Sequence, residues 1–592
     1  MYSSAAPVAE FTHSSPGNAG YVILPDLPMA ALADLVTLAC VLALALVHDP
    51  SALDLSAPRL PLALILFPVA LALAAASPGG GSRATDLPVG LAVGLAALAA
   101  MACGSPWAAS NALVAVGLAS GAYLLGRRAG TRERLLAGIA RGSLALLSVA
   151  SIAMLGAFTR PAGPDLSTGV PTLALVGPLG NPDYLAGWLV AVLPLAATGP
   201  RGRAWLAAGL VALAWTLSRG AALGLALAAA LVYRPRRLFE HKAILLALAA
   251  AFVVGGFVTL PGDRAKLASP VTFVKRTAIW RTAWQLALER PWLGHGPGSF
   301  PAAYEAARPH DPLGPGRMPP SDFAHDLPLQ VAVEYGLAGL ALLAWGLVPF
   351  VRAVPRASDP AARALACGAL AFLVHNLVSV TAYVLPVLLL GALVAGAAVT
   401  RILPAGQSSS VGPTAAAALA LALACAAPAA VTRARASHEA GLAKAALARG
   451  RAADALPHAL AALDLEPLAP AHRYLAAAAL AESGKPREAL VQYLLLEALE
   501  PGFGHQGFDR ARVLLDLSRP AAAVCELERV LSVDPDQFNA WYALAEARWA
   551  LGDRSASQAA LARARALAPT PDLQRRLDAL AHELTAPPAP TR

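Results

Sequence analysis

Long apolar runs separated by short polar breaks fill the first two thirds of the chain. They fall at 30–47, 60–77, 87–103, 107–125, 135–158, 184–199, 204–217, 220–233 and 243–260. After a long polar stretch they resume at 327–350, 361–381, 383–400 and 412–430. A membrane-crossing helix needs roughly 17 to 25 apolar residues, so the pattern predicts 12 or 13 spans, with the three runs between 184 and 233 short for that task. The runs are rich in alanine and leucine and lack two-residue alternation, which predicts helices and excludes an outer-membrane barrel.

Beyond residue 431 the pattern changes. Pro467, Pro501, Pro535 and Pro569 recur 34 residues apart. Twelve positions before each stands a small residue (Ala455, Ala489, Ala523, Ser557), and seventeen before stand Gly450, Gly484, Ser518 and Gly552. Trp541 and Leu544 complete the pattern in the last unit. This resembles the tetratricopeptide repeat, a helix–turn–helix unit of that period. Small residues let the paired helices approach, and the proline ends the second helix. The predicted fold is therefore all-α: a polytopic transmembrane bundle followed by a repeat solenoid. Its parts are an N-terminal tail (1–29), nine spans (30–260), a large outer loop (261–326), four spans (327–430), the repeats (435–580) and a tail (581–592).

Composition strengthens the membrane reading. Of the 592 residues 57% are hydrophobic and 14% charged, with a mean hydropathy of +0.56, against about a quarter charged in soluble domains. The net charge of +9 suggests nucleic acid until the basic residues are located. Fifteen fall in the loops that are cytoplasmic if the N-terminus is inside, and three (Arg59, Arg160, Arg219) fall in the short outer loops. That asymmetry is the positive-inside rule. It puts 261–325 outside, and the repeats outside too if 412–430 is a span. The first basic residue is Arg59, so no basic segment of a cleavable signal precedes the first run, which is expected to stay as an anchor. The cysteines Cys40, Cys103, Cys367, Cys425 and Cys525 show neither disulfide nor metal spacing. No metal and no cofactor are expected.

Four stretches carry the chemistry: GNPDYLAGWLVAVLPL (180–195), TLSRGA (216–221), KRTAIWRTAWQLALERPWLGHGPGSF (275–300) and AHDLPLQVAVEYGLAG (324–339). In this order they resemble the O-antigen ligase and O-antigen polymerase family of bacterial inner-membrane glycosyltransferases. The resemblance covers roughly 180–400. It implies a glycan donor linked through diphosphate to undecaprenol, a histidine base, arginines on the diphosphate, and neither metal nor nucleotide. His325 aligns with the histidine, and an imidazole at the water–lipid boundary suits proton removal from a sugar hydroxyl. The bland alternative is a polar residue at a helix edge. Asp326 either orients that imidazole or caps the following helix; the family often has asparagine there. Arg219 stands between apolar runs, where a lone arginine is costly and where its planar fork suits diphosphate oxygens; snorkelling is the alternative. Arg276 aligns with the family's Arg-x-x-x-Trp position and is the second diphosphate candidate.

Phe273, Ile279, Trp280, Trp284 and Leu288 recur at helical spacing and predict an amphipathic helix along the membrane surface. The GHGPG stretch (294–298) lacks the Lys-Ser/Thr of a phosphate loop and reads as a turn. Glu334 is expected to support the site, by pairing with an arginine or by stabilising the fold. His375 and Asn376 are polar residues inside an apolar run, where interhelical hydrogen bonds are the commoner explanation.

The expected activity is transfer of a glycan from undecaprenyl diphosphate to an acceptor hydroxyl. Lipid A core, a growing polysaccharide and a protein side chain all remain open as acceptors, and the repeats are expected to grip a protein partner or acceptor. A transporter of lipid-linked glycans and a membrane-anchored scaffold are the alternatives from other classes.

Overall fold

The computed structural model describes residues 29–49, 51–54, 56–75, 83–101, 103–158, 178–233, 271–313, 317–403, 413–501, 503–567 and 574. Among these no strand occurs, and one isolated bridge joins His310 and Arg317. The helices before the long outer segment are α1 (Met29–Leu46), α2 (Leu60–Ala75), α3 (Arg83–Met101), α4 (Pro106–Ala129), α5 (Glu133–Phe158), α6 (Pro182–Ala196), α7 (Gly202–Trp215) and α8 (Arg219–Tyr233). The outer segment contributes α9 (Val271–Glu289) and α10 (Phe300–Ala307). Then come α11 (Leu327–Ala353), α12 (Pro360–His375), α13 (Leu385–Ile402), α14 (Pro413–Cys425) and α15 (Ala427–Leu447).

Seven helical stretches are long and apolar enough to cross a membrane: Met29–Leu46, Ala57–Ala75, Pro106–Ala129, Glu133–Ser151, Leu327–Arg356, Leu385–Ile402 and Ala416–Leu447. Five more are apolar but only 10–17 residues long. These counts cover the described residues alone; the 12 or 13 spans that the apolar runs predict include the short helices and the run at 243–260, which lies outside the described residues. Packing explains the short helices. α6 is apolar on all sides and buried from Leu185 through Ala196, with α5, α7, α8, α12 and α13 around it. A helix enclosed by neighbours is matched to them rather than to the thickness of a bilayer.

Arg59 does not sit in a water-facing loop. It is 1% exposed, its Nε donating to the Leu44 carbonyl at 3.1 Å and its Nη2 to the Pro178 carbonyl at 2.5 Å. It therefore ties the end of α1 to the segment that leads into α6. α9 also differs from the single-stripe expectation. Ile279, Ala283 and Leu286 are buried, whereas Phe273, Trp284 and Leu288 are 57–61% exposed. The apolar residues are divided between two faces, one of which packs on α10 and α11.

The apolar run at 412–430 is split by a turn at Ala426, and α15 continues into the C-terminal array. Its partner α16 (Ala452–Leu465) is followed by α17 (Pro470–Glu482), α18 (Pro486–Leu499), α19 (Gln506–Asp516), α20 (Pro520–Val533), α21 (Phe538–Ala550) and α22 (Arg554–Leu567). These eight helices pair consecutively into four antiparallel hairpins. The turns at Gly450, Gly484, Ser518 and Gly552 all have φ between 55° and 79°. Ala455, Ala489, Ala523 and Ser557 are fully buried where paired helices touch.

The array rests on the connection that follows α1 and on the start of α4 in the membrane half. The Asp54 N–H donates to Ser437 Oγ at 2.8 Å, and His438 Nδ1 lies 2.7 Å from Asp49 Oδ2. Glu466 Oε1 accepts from Arg433 Nε at 2.9 Å and Trp107 Nε1 at 3.4 Å, with the Arg433 guanidinium 5.5 Å above the Trp107 ring. Further along, His310 of the outer segment lies 4.0 Å from Asp536. The helix pairs thus touch the 271–326 stretch as well.

Replacing the enclosed Ala489 with leucine forces extra volume between α17 and α18. Ala489→Leu should lower stability by about 1–3 kcal/mol, read as earlier thermal unfolding of the detergent-solubilised protein. The same exchange at exposed Ala521 should be nearly silent.

Candidate active site

Three helix N-termini converge with the inner face of α9, each set by a short sequence device. Asn181 caps α6, its Oδ1 accepting from the Asp183 N–H at 2.8 Å, with a proline in the first turn. This fixes Asp183 at the N-terminus of that buried helix. Ser218 does the same for α8, its Oγ accepting from the Ala221 N–H at 3.4 Å, so that Arg219 opens the helix. Gly220 allows close packing on α12: a Cβ there would lie 2.8 Å from Val378 Cγ2 and 3.3 Å from His375 Nδ1. The Ser-Arg-Gly triplet is thus a cap, a cation and a contact point. Asp326 caps α11, its Oδ1 accepting from the Leu329 N–H at 2.8 Å.

His325 precedes that cap with a φ of 55°. A left-handed backbone costs an L-residue about 1–2 kcal/mol and persists where the surroundings impose it. Here the Ala324 N–H donates to Gln330 Oε1 at 2.6 Å, and the Leu327 N–H to the Asn376 carbonyl at 2.9 Å. Both sides of the histidine are therefore tied, one to α11 and one to the end of α12. Arg276 points inward from α9, donates to the Val378 carbonyl, and has its Nη2 3.9 Å from Asp183 Oδ2. Arg219 is near enough for its charge to act on Arg276. Asn181, Asp183, Asp322, His325 and Ser379 line a cavity of about 260 Å³, just under the roughly 300–1,000 Å³ of small-molecule sites.

Burial pushes the His325 imidazole down from 6.5 to about 4; the Arg276 charge acts in the same direction and Asp183 opposes it. At neutral pH the ring is uncharged and able to accept a proton. Burial also lowers Arg276, with Asp183 opposing and Arg219 reinforcing the shift. The Asp322 carboxyl, on the cavity wall, is raised by burial. Glu500, in the turn after α18, is pushed up to about 7 by burial and then by Glu305 and Asp322.

Behind this site α11 breaks. Gly336 has φ 62° and ψ −156°, and the amides beyond it turn to the Gly-rich turn: Leu337 N–H to the Pro291 carbonyl at 2.7 Å, Ala338 N–H to the Trp292 carbonyl at 3.2 Å. In return His295 and Gly296 donate to the Val333 and Glu334 carbonyls at 2.8 and 3.1 Å. Side chains cannot fit between the crossing backbones. A Cβ on Gly294 would lie 2.4 Å from the Glu334 carbonyl carbon, and one on Gly336 2.5 Å from that of Trp292. Glu334, 1% exposed, accepts from Gln330 Nε2 at 2.9 Å and the Tyr383 hydroxyl at 3.2 Å, with the Gly298 and Phe300 amides directed at it. The partners that surround it are neutral donors.

His325, Arg219 and Arg276 lie within one segment of the chain that comparison identifies. Residues 204–344 match the family model described as O-antigen ligase. The O-antigen ligase match contains Arg219, Arg276, His325, Asp326 and Glu334, and it supports a membrane glycosyltransferase-like enzyme of the ligase or polymerase type. No curated protein matches the chain. Asp183 and His375 lie outside the matched residues. Asp183 was present in the quoted 180–195 stretch, and the Asn-Pro-Asp helix start was its only signal. Asn376 is fully used: its Nδ2 donates to the Phe372 carbonyl at 2.8 Å, and its Oδ1 accepts from the Ala382 N–H at 2.7 Å and Thr381 Oγ1 at 3.2 Å. His375 is buried against Gly220.

Two glycines of α11 should respond oppositely to alanine. At Gly336 the added Cβ meets backbone in a left-handed conformation, so Gly336→Ala should abolish the folded, monodisperse form in detergent. At Gly346, where nothing lies within 4 Å, Gly346→Ala should raise stability by roughly 0.5–1 kcal/mol, read from melting curves.

Proposed function

We propose that the chain transfers a glycan from an undecaprenyl-diphosphate donor to an acceptor hydroxyl. The observation that carries this reading is the meeting of one uncharged imidazole and two arginines, all inside the O-antigen ligase match, at the ends of apolar helices. A lipid-linked donor presents its polar head at such helix ends. The acceptor oxygen attacks the anomeric carbon as His325 takes its proton. The bond from that carbon to the phosphate oxygen breaks, its electron pair going to the diphosphate held by Arg219 and Arg276. Fixed cations at the point where charge accumulates lower the barrier without reorganisation, and the N-termini of α6, α8 and α11 add their partial positive charge. Direct displacement inverts the anomeric centre.

In this reading the chemistry needs no metal ion, because the arginines supply the counter-charge. Asp326 and Glu334 support the site by holding the start of α11 and the Gly-rich turn. The four helix hairpins are tetratricopeptide repeats that lie outside the cytoplasm with the site, as the charge asymmetry of the loops favours. They grip a macromolecular acceptor, whether lipid A core, a growing polysaccharide or a protein.

Asparagine tolerates the left-handed backbone of position 325 and is no base, so it separates chemistry from strain. His325→Asn should melt like the parent and lose about 100- to 10,000-fold in transfer. Arg219→Lys should keep part of the activity, since it retains charge and loses the bidentate fork. Near-parental transfer by purified His325→Asn would return this residue to a backbone role. Full transfer in chelator is expected; loss in chelator with rescue by one divalent ion would overturn the metal-free reading.

The acid limb of kcat/KM should lie near pH 4. A base whose pKa is lowered loses activity only as the pH falls through the lowered value. The anionic donor neutralises the arginines once bound, so the limb of kcat should sit at higher pH than that of kcat/KM. A kcat/KM limb at 6.5 would show His325 to be in an ordinary environment.

A further inference from the structure

Asp183 is the acid among the site's cations, and the reaction written above gives it no task. Its carboxylate lies 3.9 Å from Arg276 and lines the same cavity as His325. It acts electrostatically on His325 and on His375, which packs against it from the end of α12. Arg219 reaches the group through Arg276, and Asp322 faces it across the cavity. Asp183 is held in place by the Asn181 cap and by the burial of the whole of α6 behind it. A fixed carboxylate is a liability in a site meant for a diphosphate, because it repels the donor and occupies an arginine. Something else must make it useful.

The useful moment is proton transfer. When His325 takes the acceptor's proton, an imidazolium forms beside Arg276 in a largely buried setting, where like charges repel strongly. We propose that Asp183 is a positioning residue whose carboxylate is the built-in counter-charge that lets His325 hold this proton, at the cost of weaker donor binding. The acceptor's proton moves to the His325 ring, the acceptor oxygen bonds to the anomeric carbon, and the leaving diphosphate takes the electron pair. The proton ends on His325 and is not passed on to Asp183. This inference rests on the donor reading of the preceding subsection.

The two effects have opposite signs in one variant, which a merely structural role does not produce. In full-length detergent-solubilised protein, Asp183→Asn should bind inorganic diphosphate about tenfold more tightly, from the loss of one nearby negative charge. The His325 ring, followed by NMR of labelled histidine and assigned by difference from His325→Asn, should titrate about one pH unit lower. Surface glycan made by cells carrying Asp183→Asn should fall severalfold, up to about tenfold, in spite of the tighter anion binding, a general-base effect. Asp183→Glu should restore the titration. An unchanged His325 titration, or weakened diphosphate binding in folded Asp183→Asn, would overturn the proposal. The donor reading fails separately: if the parent does not bind diphosphate and Arg276→Gln changes nothing, that reading falls, and the His325 titration alone decides the role of Asp183.

Discussion

An apolar helix that stops bonding to itself has to find donors and acceptors elsewhere, because lipid and side-chain hydrocarbon supply none. At Gly336 α11 stops, and the Gly-rich turn supplies the missing partners through four backbone hydrogen bonds. This exchange needs the two backbones to pass closely, which is why Gly294 lies against the Glu334–Tyr335 backbone and Gly336 against that of Pro291 and Trp292. Much else depends on it. The turn fixes the end of α9, α9 carries Arg276, and Glu334 inside the same crossing ties Gln330, which in turn holds the backbone before His325.

The site itself is a problem in charge placement. Two arginines, two histidines and the aspartates Asp183 and Asp322 share a region largely withdrawn from water, and burial acts first on His325 and Arg276. Withdrawal keeps the imidazole neutral and leaves two guanidinium charges in a region poor in water. Such a site is best satisfied by an anion, and the helix N-termini pointing into it favour the same ligand.

The sequence made some of this legible and hid the rest for identifiable reasons. The helix hairpins could be read because one turn, one small residue and one proline recur in phase, and each has a local cause. His325, Arg219 and Arg276 could be singled out because polar residues at the ends of apolar runs are conspicuous. Asp183 was not, since an acidic residue in the first turn of a helix is ordinary, and its nearness to Arg276 arises only when residues 93 positions apart fold together. The burial of Arg59 in the α1–α2 connection is hidden for the same reason: its guanidinium donates to carbonyls at Leu44 and Pro178, and carbonyls leave no trace in a sequence. The surroundings of the short apolar helices are hidden too, since a run enclosed by protein and a run facing lipid have the same composition.

The join at Ala426 has a consequence for how the two halves could have come together. α15 leaves the last apolar helix after one turn and is itself the first helix of the array, with Ser437 and His438 bonded to the α1–α2 connection. The halves share a rigid strut where a flexible tether would be expected. Cutting the chain there exposes a helix face on one fragment and unpairs polar groups on the other. Lineages that gained, lost or exchanged this appendage would have had to remake the membrane half's α1–α2 connection with it, so the two are expected to be inherited as one piece.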